Sequence, residues 1–543
     1  MEGIADFLDS LIGGVDLAFY SMAVGGLLWG LFILKPWDPK SQYNNKFLQQ
    51  TVNLIYLGAF ALVITELAKI VLKIWLMTAT LERWPFPAFA YTAQFQAGLT
   101  RALLSGFLAF YLKQHLQSNV RSKQHWINAT LLMLPMVITG AWLVHGASRL
   151  EDRGLLMALS VLHQVSAALW VGSIFQLLLI WHLKKQNQIN AEIWPILLWR
   201  FSPIGMVAVL GILASGLPIA LYYFDTWNAF IGTGYGNLLL VKILMLIIAL
   251  GFAMLNRQAV HDYFLTSNTH NINYRVPYYI EAETLVLITL LFTAASLASQ
   301  PPAIDIPHLT ATWQEVLHAF APHFPRITSP THDALIAGEA GRIAIVGQVP
   351  SEAATAWSDY NHNISGIFLT VMSVFAMLSY KKEYTWAKYW PLGFMLLGVF
   401  LFFRSDAETW PLGPIGFWDS TFNNGEVLQH RIATLLVFML GLMEIKARLS
   451  NDPNSKLPYV FPILSAFGGL MLLAHSHVGF EPKTTFLIQV GHTLMGLFSL
   501  ILACGRWLEL KLDSPGKEIA GFISVFALFQ IGIILMFYRE PLY

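Results

Sequence analysis

The chain has 543 residues, 56% of them hydrophobic and only 12% charged, with a formal net charge of +1. A soluble domain carries about 25% charged residues, so most of this surface does not face water. The near-neutral balance excludes a nucleic-acid or acidic-partner footprint, and the single cysteine, Cys504, excludes an internal disulfide and any CxxC metal site.

Apolar runs of roughly 20 residues recur along the chain, each long enough to cross a hydrocarbon core of about 30 Å. They predict an all-α integral membrane protein with about fourteen spanning helices. The N-terminus, MEGIADFLDS, is acidic and lacks the basic region of a cleavable signal peptide, so the first run is expected to be retained. In chain order the segments are Val15–Leu34, Leu54–Met77, Gly98–Leu112, Ile127–Val144, Leu155–Trp181, Phe201–Tyr223, Leu238–Leu255 and Tyr279–Ser299. After a proline-rich break come Ile364–Tyr380, Tyr389–Phe403, Val427–Ile445, Val460–Ala474, Thr485–Ile501 and Ile519–Phe537. This pattern predicts an eight-helix domain over residues 1–300, an external linker or small cap over 301–357, and a six-helix domain over 358–543. A Trp-Gly pair in the first segment (Trp29-Gly30) and a Trp-Val-Gly in the fifth (Trp170–Gly172) occupy similar helix positions, too little to establish a repeat.

Short loops on the cytoplasmic side carry the excess of Lys and Arg. Lys35, Lys40 and Lys46 follow the first segment, Lys113, Arg121 and Lys123 the third, and Lys184 and Lys185 the fifth. Arg257 and Arg275, Lys381 and Lys382, Lys446 and Arg448, and Arg506 and Lys511 continue the alternation. Both termini are therefore expected outside, in the periplasm of a cell with two membranes.

Ionisable groups inside lipid are expensive and are paired or functional. Glu66 and Lys69, at i,i+3 on the second segment, pair on one helix face. An ion or proton path is the alternative. Arg101 and Lys242 each lie about one turn into a helix, where snorkelling accounts for them. Glu281 and Glu283 begin the eighth segment at an interfacial position that requires no special role.

Of the 16 histidines, His145 closes the fourth segment and His163 lies in the outer half of the fifth, seven residues before Trp170. His308, His318, His323 and His332 read as solvated residues of the external segment. In the C-terminal domain, His362 (in WSDYNHNISG), His430 (LQHRIATLL), His475 and His477 (HSHVGF) and His492 (VGHTLMGL) all fall on the outer side. Imidazole binds copper, iron, zinc and nickel through a neutral ring nitrogen, and convergence from several helices at one depth is what a bundle metal site requires. His430, His475, His477 and His492 form the strongest expected cluster. Met471 and Met495 could add thioether ligands, with core packing as the alternative. No HExxH, Walker-type loop or nucleophile elbow supports hydrolysis or ATP-driven pumping.

LHQVSAALWVG (Leu162–Gly172), GTGYGNLLLVK (Gly232–Lys242), LNRQ (Leu255–Gln258) and SLASQPPA (Ser296–Ala303), in this order and spacing, resemble the copper-resistance protein D (CopD) family. The second domain, with RSDAETWPLGP as well as its histidine motifs, resembles the C-terminal extension of long family members. The resemblance implies a multi-pass protein of the bacterial inner (plasma) membrane that transports or delivers copper in copper homeostasis or resistance, without enzymatic activity. It also implies work beside a separate periplasmic copper-binding protein of CopC type, since no fused β-domain is present. The rival reading is a bis-His haem b redox protein, because haem iron is also held by histidines of neighbouring helices. A third is a non-transporting scaffold or sensor.

The charge pattern has a direct test. Reporter fusions are expected to read external within residues 301–357 and internal at Lys184-Lys185; an internal reading for the former would overturn the orientation.

Overall fold

The computed structural model describes residues 2–41, 43–267, 269–339, 351–450, 452–474 and 482–541, and among them no β-strand forms. In hydrocarbon each backbone N–H and C=O must be satisfied within its own segment, which a helix does. Each of the fourteen expected segments lies on a helix. The first eight are α1 (Ile4–Leu34), α2 (Asn45–Leu81), α3 (Ala93–Tyr111), α4 (Lys123–Leu143), α5 (Arg153–Lys185), α6 (Ile193–Tyr223), α7 (Gly234–Thr266) and α8 (Val276–Ser299). The remaining six are α9 (Glu352–Leu378), α10 (Thr385–Arg404), α11 (Gly425–Leu449), α12 (Val460–Leu473), α13 (Pro482–Lys511) and α14 (Gly516–Met536).

Eleven of these helices are long and apolar enough to cross a membrane. The three that fall short have identifiable reasons. α3 carries Arg101 and two glutamines in 19 residues. α11 carries Glu426, His430, Arg431, Glu444, Lys446 and Arg448. α12 is apolar but has only 14 residues, about 21 Å at 1.5 Å per residue.

The pattern of exposure is that of a protein dissolved in lipid. On α2 the apolar side chains Leu57, Phe60, Ile64, Leu67 and Val71 are exposed along one stripe, while Ile55, Ala59, Leu62 and the carboxylate of Glu66 are buried on the other face. α3 repeats this, with Leu103, Phe107 and Phe110 outward and Arg101 and Ser105 inward. An amphipathic helix in water has the opposite arrangement.

Two compact units divide the chain. One comprises Asp9–Tyr223 and Leu246–Ala298; the other comprises Met1–Leu8, Phe224–Met245 and Ser299–Tyr543, so α1 and α7 contribute to both. In the first unit, π-turns at Ser21–Gly25 and Gly30–Leu34 interrupt α1. Here α1 and α5 meet backbone to backbone at Gly25 and Gly172. A Cβ on Gly25 would stand 1.8 Å from the Ala168 carbonyl oxygen, and one on Gly172 would stand 2.1 Å from that of Ser21. Close approach through small residues is how membrane helices gain dispersion energy when no hydrophobic effect separates them from lipid. The Gly30 position likewise admits the ring of the buried Trp126.

In the second unit, α9, α10, α12, α13 and α14 enclose a core that includes Phe394, Phe461, Met495 and Leu528. Met471 is buried as well. Residues 300–339 form short turns and two helices, Trp313–Phe320 and His332–Glu339. The first of these starts with a Thr312/Glu315 capping box and packs Val316 against Phe486 and Val490 of α13, beside a 2.7 Å Lys483–Glu315 ion pair.

Because the α1–α5 contact leaves no room for a side chain, Gly172→Val is expected to lower the yield of monodisperse protein strongly, through overpacking worth about 3 kcal/mol or more. Gly154→Ala, with no heavy atom within 4 Å of the added Cβ, is the control and should leave it unchanged.

Candidate functional site

Three polar constellations stand out, two in the first unit and one in the second. The first joins α1, α2 and α3. The Arg101 guanidinium donates through Nη1 to Glu66 Oε1 at 2.6 Å and to Asp16 Oδ2 at 3.3 Å. Lys69 Nζ lies 2.9 Å from the same Glu66 oxygen and 3.2 Å from Asp16. Thr65 donates its hydroxyl to Asp16 Oδ1 at 2.6 Å, and the guanidinium carbon lies 5.1 Å from the Tyr20 ring centre. Two acids and two bases therefore balance.

The expected Glu66–Lys69 pair is present, but Arg101 does not snorkel. It is 5% exposed and aimed into the bundle, because two carboxylates inside stabilise it more than a reach to the interface would. Asp16, the second residue of the first apolar run, is the member that sequence reasoning missed; its place inside that run was the available signal. Lys242 lies half-buried in the first third of α7.

The second constellation lies between α5, α7 and α8. Glu283 is 1% exposed, more than one helical turn past the start of α8 at Val276. Trp170 Nε1 donates to its Oε1 at 2.9 Å, and Asn256 Nδ2 donates to its Oε2 at 2.9 Å. Trp170 and Asn256 come from two of the motifs that carry the family resemblance, so three distant stretches of sequence meet at one carboxylate. Nearby on α5, His163 Nδ1 lies 3.1 Å from the Ser215 hydroxyl of α6. His145, in the short turn after α4, sets its ring edge-on to Tyr223 at 6.5 Å. Each of these histidines thus has a separate neighbour on α6.

The third constellation gathers the motifs of the second unit at one end of its helices. His362 of α9 and His492 of α13 have ring centres 5.6 Å apart and nearly perpendicular planes. Tyr538, just after α14, stacks on His362 at 4.0 Å and stands 5.9 Å from His492. Both histidines place Nδ1 2.9 Å from the carbonyl oxygen one turn back, that of Ser358 for His362 and that of Ile488 for His492. A carbonyl only accepts, so each Nδ1 carries a proton. The Tyr538 hydroxyl and the Ser358 hydroxyl both donate to Glu540.

His430 of α11 has Nδ1 2.8 Å from Asp406 Oδ1. Its neighbour Arg431 donates to the Phe417 carbonyl at 2.6 Å and to the Ser420 hydroxyl at 2.9 Å, pinning the loop before α11. Arg404 lies over the Trp357 ring at 3.4 Å and donates Nε to Asn361 at 3.3 Å, so RSDAETWPLGP, WSDYNHNISG and LQHRIATLL form one connected surface. His475 and His477 lie outside the described residues. Among the described residues, no three or more His, Cys, Asp or Glu side chains form a group able to hold a metal ion. Two of the four histidines between α8 and α9 have polar partners: His318 Nε2 is 3.0 Å from Arg539 Nη1, and His332 Nε2 is 2.7 Å from the Ala407 carbonyl oxygen.

Multiple apolar spans, inverted exposure and internally balanced charge define a polytopic helical membrane protein. Residues 196–297, from α6 to near the end of α8, match the family model described as copper resistance protein D. Over 179 residues it is 27% identical to the copper transport protein CutJ of Bacillus subtilis (strain 168), a stretch covering 33% of this chain and 31% of the relative. The similarity thus spans about a third of the relative's length. No solved structure matches the chain.

Removing Arg101 would leave Asp16 and Glu66 opposed by Lys69 alone. Arg101→Leu is expected to cost about 3–5 kcal/mol, as for a broken buried pair, read as a fall in thermal midpoint in detergent. Arg101→Lys should fall between wild type and Leu, keeping the charge while losing the guanidinium fork.

Proposed function

We propose that this chain transports or delivers copper at a bacterial inner membrane, and that histidines at the outer end of its C-terminal domain receive the ion. The observation that carries this reading is the His362–His492 pair. Each Nδ1–H donates to a backbone carbonyl, and this supports the reading because metal-ligating histidines typically donate one ring N–H to a carbonyl or carboxylate. Metal–nitrogen bonds of roughly 2 Å bring two ring centres to roughly 4.5–6.3 Å of one another, and the observed 5.6 Å lies inside that interval. His475 and His477 belong to the segment that leads into α13, the helix carrying His492, and are proposed to complete the ligand set. His430, oriented by Asp406, is proposed as a further ligand, and His163 and His145 as separate stations in the N-terminal domain.

The match to the copper resistance protein D model and the CutJ similarity supply the choice of copper, since imidazole alone does not select among transition metals. Haem is the less favoured occupant of this pair. A macrocycle ligated from both faces needs a wide slot between the two rings, and the Tyr538 ring stands beside both of them. The reading includes fourteen spans divided as 1–300, 301–357 and 358–543, both termini outside, and delivery of copper by a separate periplasmic protein of CopC type.

The test is copper content and affinity of the purified full chain. His362→Ala and His492→Ala are each expected to weaken copper binding at least about tenfold, in line with losses at metal-site histidine partners, and the double variant to abolish it. Unchanged copper in a folded double variant would falsify the assignment; a Soret band in wild type that disappears with these histidines would establish haem instead.

A further inference from the structure

The carboxylate of Glu283 is the polar group in this fold that a copper site does not explain. It is 1% exposed, it lies on a helix apolar enough to span a membrane, and among the described residues no cation pairs with it. Its two partners, Trp170 Nε1–H and Asn256 Nδ2–H, are neutral donors. The charged groups on the surrounding elements are directed elsewhere. Asp16 of α1 is held by Arg101 and Lys69, and Arg257 of α7 turns to the Met206 sulfur. On α5, Lys184 bonds Asn273 and Lys185 lies over the Trp181 ring. On α8 itself, Glu281 is half-buried and adds no positive charge.

A second observation concerns Asn256. Its Nδ2 donates to Glu283, while its Oδ1 is buried and accepts no hydrogen bond. A side-chain amide has donor and acceptor ends of nearly equal size, so a half-turn exchanges them at little steric cost. The site therefore offers two arrangements, each of which hydrogen-bonds both carboxyl oxygens. With Glu283 ionised, Trp170 and Asn256 donate one hydrogen bond to each carboxylate oxygen. With a proton on Oε2, Trp170 still donates to Oε1, and the new O–H donates to Asn256 Oδ1 once the amide has turned. The O–H bond formed on the carboxyl replaces one broken in a hydronium ion, which leaves as water, and one negative charge disappears from the bundle interior. A permanently ionised carboxylate inside a membrane protein is paired with a cation, as Asp16 and Glu66 are here.

From this geometry we propose that Glu283 is a reversible proton-binding site, with the Asn256 amide turning between its donor and acceptor ends as the proton arrives and leaves. This reading does not depend on which metal, if any, the histidines bind.

Infrared difference spectra of the full chain, reconstituted in lipid and titrated from about pH 5 to about pH 9, test it directly. A protonated-carboxyl C=O band is expected to appear and vanish reversibly, to be absent in Glu283→Gln, and to be retained but displaced in Glu283→Asp. Trp170→Phe, which removes the donor on Oε1, should move the band to higher frequency. A side-chain amide feature should accompany the carboxyl band in wild type and be missing in Asn256→Leu. No titrating band that depends on Glu283, or one that persists unchanged at every pH, would overturn the site. An amide feature that survives in Asn256→Leu would overturn the switch.

Discussion

The Arg101 guanidinium, shared between Glu66 and Asp16, sets the rotation of three helices at once. Water does not answer a charge held inside a lipid-embedded bundle, so each ion must be neutralised by another carried on a neighbouring helix. That requirement turns α1, α2 and α3 so that Asp16, Glu66 and Arg101 converge. Once the polar faces are fixed inward, the faces left for lipid are decided too. On α2 they are the exposed apolar stripe from Leu57 to Val71. Charge compensation thus does for this bundle what burial of apolar surface does in water, where the hydrophobic face decides rotation.

The second unit uses the same device. Glu444 Oε1 accepts from Arg448 Nε at 2.8 Å and Arg506 Nη2 at 3.0 Å, which joins α11 to α13. Arg506 also reaches Glu509 at 2.8 Å, and the Tyr380 hydroxyl donates to the other oxygen of that carboxylate at 2.8 Å, tying in the end of α9. Several of these residues are cationic loop-end groups by sequence, counted as markers of orientation. In the structure they also join helix ends.

Much of the architecture was legible in the sequence because membrane spans are long and apolar, and all fourteen expected segments lie on helices. Local polar pairs were legible as well: Glu66 and Lys69 meet at 2.9 Å because i and i+3 share a helix face. Partners far apart in sequence were not. Arg101 lies 85 residues from Asp16, and Trp170 lies 113 from Glu283. No periodicity within one helix reports such a meeting. The histidine cluster shows the same boundary. Its members were readable from their place at helix ends, but the pairing of His362 with His492, and the Tyr538 ring beside them, depends on how α9, α13 and α14 pack. The expectation centred on His430, His475, His477 and His492, whereas the close pair among the described residues brings in His362.

The polar groups inside this protein fall into two kinds, distinguished by whether their interactions cancel. Around Arg101, two carboxylates meet two cations, and moving any one of them strands the others; such a cluster holds a fold in one arrangement. Glu283 receives hydrogen bonds but no opposite charge, and Asn256 next to it keeps an acceptor oxygen unused. His362 and His492 have one ring nitrogen each committed to a carbonyl, which orients the ring without altering its charge. At Glu283 the protein has positioned an ionisable group with no opposite charge among the described residues. Burying such groups disfavours the folded state unless a ligand restores the balance, and the sign of the imbalance indicates its chemistry. A carboxylate with only neutral donors calls for a positive charge as small as a proton. Two imidazoles oriented through Nδ1 suit, in the proposed reading, a cation that forms directed bonds to nitrogen, as a transition-metal ion does.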